Sequence, residues 1–227
     1  PVRFGDVQGV IGIKAVHLTT AAERRTMPKT KDLYIDIGAA SKAAAEDKVS
    51  LGDYGVFDSA VVEFGDGLIK AKAIDDRVGC AALLKLIEDE PPIDTWFCFT
   101  VQEEVGLRGA ASMAYALDPG FAMVLEGTTA ADLAEVEGGK AVCRVRGGVV
   151  LPFMDGATIY DAELFELMRN ACDKRGIRWQ TKTRVAGGTD AGRIHKSRAG
   201  VRVCAAAAPV RYIHSPSSVA AVADCEA

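Results

Sequence analysis

The chain has 227 residues, 49% apolar and 26% charged, a balance that excludes wholesale disorder and suits one generous domain with a small companion. Its 27 basic and 31 acidic side chains leave a formal charge of −4 with no Lys/Arg stripe, which argues against nucleic acid or an anionic membrane as partner. No apolar run approaches the roughly 18–20 residues of a membrane-spanning helix, and no basic-then-apolar leader opens the chain, so a cytoplasmic protein is expected.

The text enters on PVRFGDVQGVIGIKAV, an alternating pattern with glycines that reads as the interior of a β-structure. Short apolar runs at 7–16, 33–37 and 54–63, punctuated by glycines, make the first 64 residues a β-rich region; Ser41 can cap one helix over 41–47. From about Leu68 strands and helices alternate. A run at 68–74 leads into a helix over 75–90, stopped by Pro91-Pro92. Next come a buried-strand run at 95–101 (TWFCFTV), a helix over 108–117, a strand at 121–125 and another at 140–145. A helix over 161–175 closes at Gly176, and 179–185, a helix near 191–198 ended by Gly200, and the run 201–208 complete the series. The expected fold class is therefore α/β: a larger domain (65–227) with a mostly parallel central sheet flanked by helices, plus a small β-rich domain (1–64). Cys80, Cys98, Cys143, Cys172, Cys204 and Cys225 form no C-x-x-C pair and read as free thiols, Cys98 and Cys204 as mid-strand core.

Ligands bind such sheets beyond the carboxyl ends of the strands. There the sequence places Asp75-Asp76, Glu103-Glu104 after 95–101, Glu126 after 121–125, and His214 in a loop after 201–208. Clustered carboxylates repel one another unless a cation sits among them, and carboxylates with an imidazole suit zinc, cobalt or manganese. Each residue alone also has a plain structural reading: a helix cap for Asp75 or Asp76, solvated loop charge for Glu103-Glu104, a turn residue for Glu126. His17 reads as a surface or interface residue and His195 as solvated between basic neighbours.

The motifs AKAIDDRVGC (71–80), TVQEEVGLRGA (100–110), VLEGTTAAD (124–132), AGGTDAGRIHKSRAGV (186–201) and RYIHSP (211–216) resemble the glutamyl-aminopeptidase and tetrahedral-aminopeptidase family of dinuclear metallopeptidases, some members of which carry the label cellulase M or endoglucanase. GVIGIKAVHL and KDLYIDIGAASKAAAE are similar to that family's small inserted β-domain. The resemblance implies two divalent metal ions. Asp75 would bridge them, Glu104 and His214 would hold one, and Glu126, where many relatives carry Asp, the other. Glu103 would be the general base toward a metal-activated water. It also implies peptide substrates, release of N-terminal residues, and a homo-oligomer between dimer and dodecamer. The family's first metal ligand is a histidine in an upstream His-x-Asp segment, and no such segment occurs in this sequence. The expectation is thus a catalytic domain lacking its N-terminal segment beside an incomplete β-domain, whose second metal position keeps only Asp75 and Glu126. Two other readings stand beside the aminopeptidase: an amidohydrolase on small acylated substrates, and an inactive relative serving as an assembly or binding module. Two-carboxylate glycosidase chemistry does not call for the histidine-containing cluster, which disfavours a cellulase.

Overall fold

The computed structural model describes residues 1–227, which divide into two compact units, Pro1–Ala60 and Val61–Ala227. In the first unit β1 (Val2–Phe4), β2 (Val7–Gly12), β3 (Tyr34–Asp36) and β4 (Val56–Phe57) form an antiparallel sheet in the order β3-β2-β1-β4. Gly12 carries no side chain because the Tyr34 ring lies over it: a Cβ would come 2.2 Å from that ring. Helix α1 (Lys42–Glu46) starts where Ser41 Oγ accepts from the Ala44 N–H at 3.2 Å, as its capping position requires.

In the second unit β5 (Val62–Phe64), β6 (Leu68–Ala71) and β11 (Ser218–Ala221) make a three-stranded antiparallel sheet, with β6 in the middle. The larger sheet has the order β7-β10-β8-β9, from β7 (Phe121–Thr129), β8 (Val149–Val150), β9 (Trp179–Gln180) and β10 (Arg202–Val210). The pairs β7–β10 and β8–β9 are parallel and β10–β8 is antiparallel. Helices cover both faces: Ala205 joins a core cluster with Ala110 and Ala114 of α3 (Arg108–Leu117) and Ala191 and Ile194 of α5 (Ala191–Ile194). Its neighbour Ala206 packs instead with Cys172, Phe165 and Met168 of α4 (Ala162–Arg175), because successive strand residues point to opposite faces. Helix α4 has a designed start and stop: Asp161 accepts from the Leu164 N–H at 3.0 Å, and Gly176 at φ 68° supplies the left-handed closure. Helix α2 (Ile74–Glu88) packs on β7, and α6 (Val222–Cys225) ends the chain. No helix is long and apolar enough to cross a membrane.

Five expected elements differ. Residues 95–101 form no strand, because no neighbouring strand exchanges backbone hydrogen bonds with them, and Trp96, Phe99 and Val101 stand exposed. Cys98 is accordingly half-buried, outside the core, whereas Cys204 is buried in β10. The stretch 140–145 is buried but irregular: Val142 at φ 62° and Arg146 at φ 68° interrupt any extended run. Its amides are satisfied from elsewhere, Val145 by Asp132 and Arg144 by the Gln180 side chain. Of 179–185 only Trp179–Gln180 pairs, and the helix near 191–198 stops at Ile194. The strand expected to end at Leu125 continues to Thr129, which moves Glu126 from a strand end into the strand.

Candidate metal centre

Strand β6 leads to Ala73, whose left-handed backbone (φ 52°) turns the chain sharply toward β7. Asp75 and Asp76 follow with non-helical backbone, so the regular part of α2 begins only after them. This lets two adjacent carboxylates do different things. Asp76 Oδ1 accepts from the Gly79 N–H at 2.9 Å, the helix-capping role, while Asp75 Oδ2 lies 3.4 Å from His214 Nε2.

Glu103 and Glu104 sit on a tight turn entered through left-handed Gln102 (φ 60°) and held by the Gly106 and Leu107 amides, which both donate to the Glu103 carbonyl. Glu103 is half-buried and Glu104 exposed. Glu126, only 7% exposed in the middle of β7, accepts a 3.2 Å hydrogen bond from the Gly127 N–H. His214 sits in the loop between β10 and β11, its Nε2 3.3 Å from Glu104 Oε2.

The tertiary fold brings these side chains into two groups, Asp75–Glu104–His214 and Asp75–Asp76–Glu126, each with ligand atoms within 4.8 Å of one another. Asp75 belongs to both. Glu103 stands beside them without joining either. Its carboxyl is pushed up to about 7, first by burial and then by the charges of Glu104, Asp190 and Asp75, with His214 opposing. Asp76 also rises to about 7, first through burial; its Gly79 bond resists, and Asp75, Glu103 and Asp190 add to the rise. Glu126 is pushed up to about 10 by burial, then by a hydrogen bond shared with Asp75, then by the surrounding carboxylates. Burial is the largest cause of all three rises, and the neighbouring carboxylates add to each. Two oxygen donors and an imidazole nitrogen form a three-ligand set of the kind catalytic zinc and related divalent ions take, so the residues present fit such an ion.

The sequence analysis placed Asp76 in the cluster without assigning it as a ligand, and missed Asp190. Asp76 joins the second group because the chain kinks at 75–76; a regular helix would send neighbouring side chains about 100° apart. Asp190, from the GGTDAG stretch, is buried, accepts from the Thr100 hydroxyl, and raises both Glu103 and Asp76. Its only sequence signal was an acidic residue after two glycines at the start of a short helix. The remaining histidines stay outside both groups: His17 is exposed in the first unit. His195 is half-buried rather than solvated, with Nδ1 2.7 Å from the Ala191 carbonyl oxygen.

The sequence model of the M42 glutamyl aminopeptidase family matches residues 2–227. The glutamyl aminopeptidase of Lactococcus lactis is 31% identical over 200 residues, covering 85% of this chain and 55% of that protein. An aminopeptidase of the archaeon Desulfurococcus kamchatkensis superposes with a TM-score of 0.90 at 34% identity, covering 99% of this chain and 64% of that one. The TET1 peptidase of Pyrococcus horikoshii, described as assembling into a tetrahedron or a large octahedral shell, superposes with a TM-score of 0.77 at 29% identity, covering 96% of this chain and 64% of that one. The chain thus spans less than two thirds of the length of these relatives.

Proposed function

The chain belongs to the M42 glutamyl aminopeptidase family, and from that premise we propose that its second unit is the catalytic part of a metal-dependent aminopeptidase that hydrolyses the first peptide bond of peptides. The observation that carries this reading is the sharing of Asp75 between two ligand groups, one of which contains His214. A carboxylate common to both is what a dinuclear centre needs as its bridge.

In this reading Asp75, Glu104 and His214 would hold one divalent ion, and Asp75 and Glu126 the other, with Asp76 available from the helix cap. Zinc, cobalt or manganese suits the donors. When bound, such ions supply Lewis-acid polarisation of the scissile carbonyl and a lowered pKa for water. Glu103 takes the proton from the attacking water and returns it to the departing amine. The division of labour between the adjacent glutamates follows from their surroundings. Glu104 faces the imidazole at 3.3 Å and is committed there, whereas the half-buried Glu103 carboxyl joins neither ligand group and stays free to exchange a proton. The division into residues 1–64 as an inserted assembly-type domain and 65–227 as the catalytic domain belongs to the same proposal, as does homo-oligomerisation, for which the shell described for the Pyrococcus horikoshii relative is the support.

The test uses protein extended to the length of its relatives. Elemental analysis should find two divalent ions per chain, and free-amine peptides should be cleaved while N-acylated amino acids are not. Cleavage of the acylated compounds alone would move the reading to an amidohydrolase; ion binding without any hydrolysis would move it to a binding module.

A further inference from the structure

We propose that the part-buried Asp132–Arg211 ion pair, with Ser215, positions His214 for metal binding, an inference that rests on the metal-centre reading above. His214 is presented by the loop 212–217, and that loop is not one its own residues favour. Tyr212 (φ 57°) and His214 (φ 60°) both hold left-handed backbone although neither is glycine. Conformations of this kind persist only where their surroundings over-determine them. The loop is pinned at its foot and in its middle. At the foot, Arg211 exchanges both backbone hydrogen bonds with Val219, at 2.8 and 3.0 Å, closing β10 onto β11. The Arg211 guanidinium then forks onto Asp132, Nε to Oδ1 and Nη2 to Oδ2, both at 2.7 Å.

Asp132 is a fixed anchor. Its side chain is 6% exposed, its Oδ2 also accepts from the Val145 N–H at 3.1 Å, and it lies just beyond the end of β7, the strand that carries Glu126. A two-point fork fixes orientation as well as distance, which a point charge cannot do. In the middle of the loop Ser215 Oγ lies 2.6 Å from the Tyr212 carbonyl oxygen and 2.7 Å from that of Ser217, and its one hydroxyl hydrogen is donated within the turn that holds His214. The register between the His214 loop and the strand carrying Glu126 is therefore set by the Asp132–Arg211 fork, and the height of the imidazole by Ser215.

Zn²⁺ affinity, measured by competition with a chelating dye on the full chain, tests this. Arg211→Gln and Arg211→Lys should each weaken binding about 10–100-fold, the scale of losing an outer support of a metal ligand. The lysine variant should not rescue, since it keeps the charge and loses the fork. The sign is decisive, because removing a nearby positive charge without moving His214 would strengthen cation binding. Unchanged or tighter Zn²⁺ binding in Arg211→Gln would overturn the proposal. If the Arg211 variants do not fold, Ser215→Ala decides, since it leaves the ion pair intact: weaker binding supports the proposal and unchanged binding overturns it. His214→Ala separates the two levels. Undiminished affinity there would remove the metal-centre reading itself, whereas loss there with none in the Arg211 and Ser215 variants would remove only this inference.

Discussion

Asp75 lies directly against the backbone of Gly127: a Cβ at position 127 would come 3.0 Å from the Asp75 Cβ and 3.1 Å from its Oδ1. The carboxylate common to both ligand groups thus reaches over β7 only because the next residue after Glu126 has no side chain. Gly127→Ala should push Asp75 aside by a few tenths of an ångström and weaken divalent-ion binding at both groups together. Calorimetric titration with Zn²⁺ reads this directly; loss at one group alone would mean that Asp75 is not the common element.

Gly79 plays the corresponding part on helix α2. A Cβ there would meet the Leu125 carbonyl oxygen at 2.6 Å and the Asp76 carboxylate oxygens at 2.5 and 2.6 Å. The carbonyl belongs to strand β7 and cannot rotate away. Gly79→Ala should therefore destabilise the fold by about 1–3 kcal/mol, the usual cost of overpacking. Chemical denaturation would measure it, and a neutral result would show that α2 can slide along the sheet.

Glu103→Gln should reduce turnover by about 10²–10⁴-fold while leaving the content of bound metal unchanged. The amide keeps the size and the half-buried position of the side chain but cannot take up a proton. The measurement requires protein extended to the length of the relatives, with steady-state kinetics beside elemental analysis. Metal loss in this variant would exchange the roles assigned to Glu103 and Glu104.

His214→Ala should remove one ion, because the neighbouring Ser215 and Pro216 offer no imidazole. His195→Ala should leave ion content intact, since that ring bonds the Ala191 carbonyl oxygen at 2.7 Å and belongs to neither ligand group. Equal loss in both variants would contradict the assignment.

The raised carboxyls make the ion-free protein sensitive to alkali. Asp76 and Glu103 hold their protons to about pH 7 and Glu126 to about 10 in the folded state, whereas the unfolded chain releases them near pH 4. The unfolded state therefore binds fewer protons across that window, and stability falls as pH rises through it. The midpoint of thermal unfolding in a chelator should drop between pH 5 and 8, and added Zn²⁺ should raise it more at pH 8 than at pH 5, because protons compete with the ion. A chelated protein whose unfolding temperature rises over that interval would show that the carboxylates are compensated without an ion.

Periodicity alone located the helices with strong local signals. Asp161 and Gly176 bracket α4 in the sequence as they do in the fold, and α3 spans the residues its pattern indicates. Local signals failed where pairing decides. Residues 95–101 have every compositional mark of a strand, yet a strand exists only with a partner, and none pairs with it. Residues 140–145 are as apolar as a strand, but two left-handed residues at 142 and 146 turn the run into a buried loop satisfied by side chains. No pattern in the one-dimensional text announces either fact.

The sequence by itself supplied the candidates: an Asp-Asp pair, a Glu-Glu pair, Glu126 and His214, each following an apolar run. Their division of labour was decided by tertiary structure. The kink at 75–76 sends Asp76 to the helix cap and Asp75 to the imidazole, Gly127 and Gly79 allow α2 to approach β7, and Asp190 enters from more than eighty residues away. Such roles depend on distances between segments remote in the chain, and electrostatic coupling between charges is a function of those distances and of burial, neither of which any local pattern encodes.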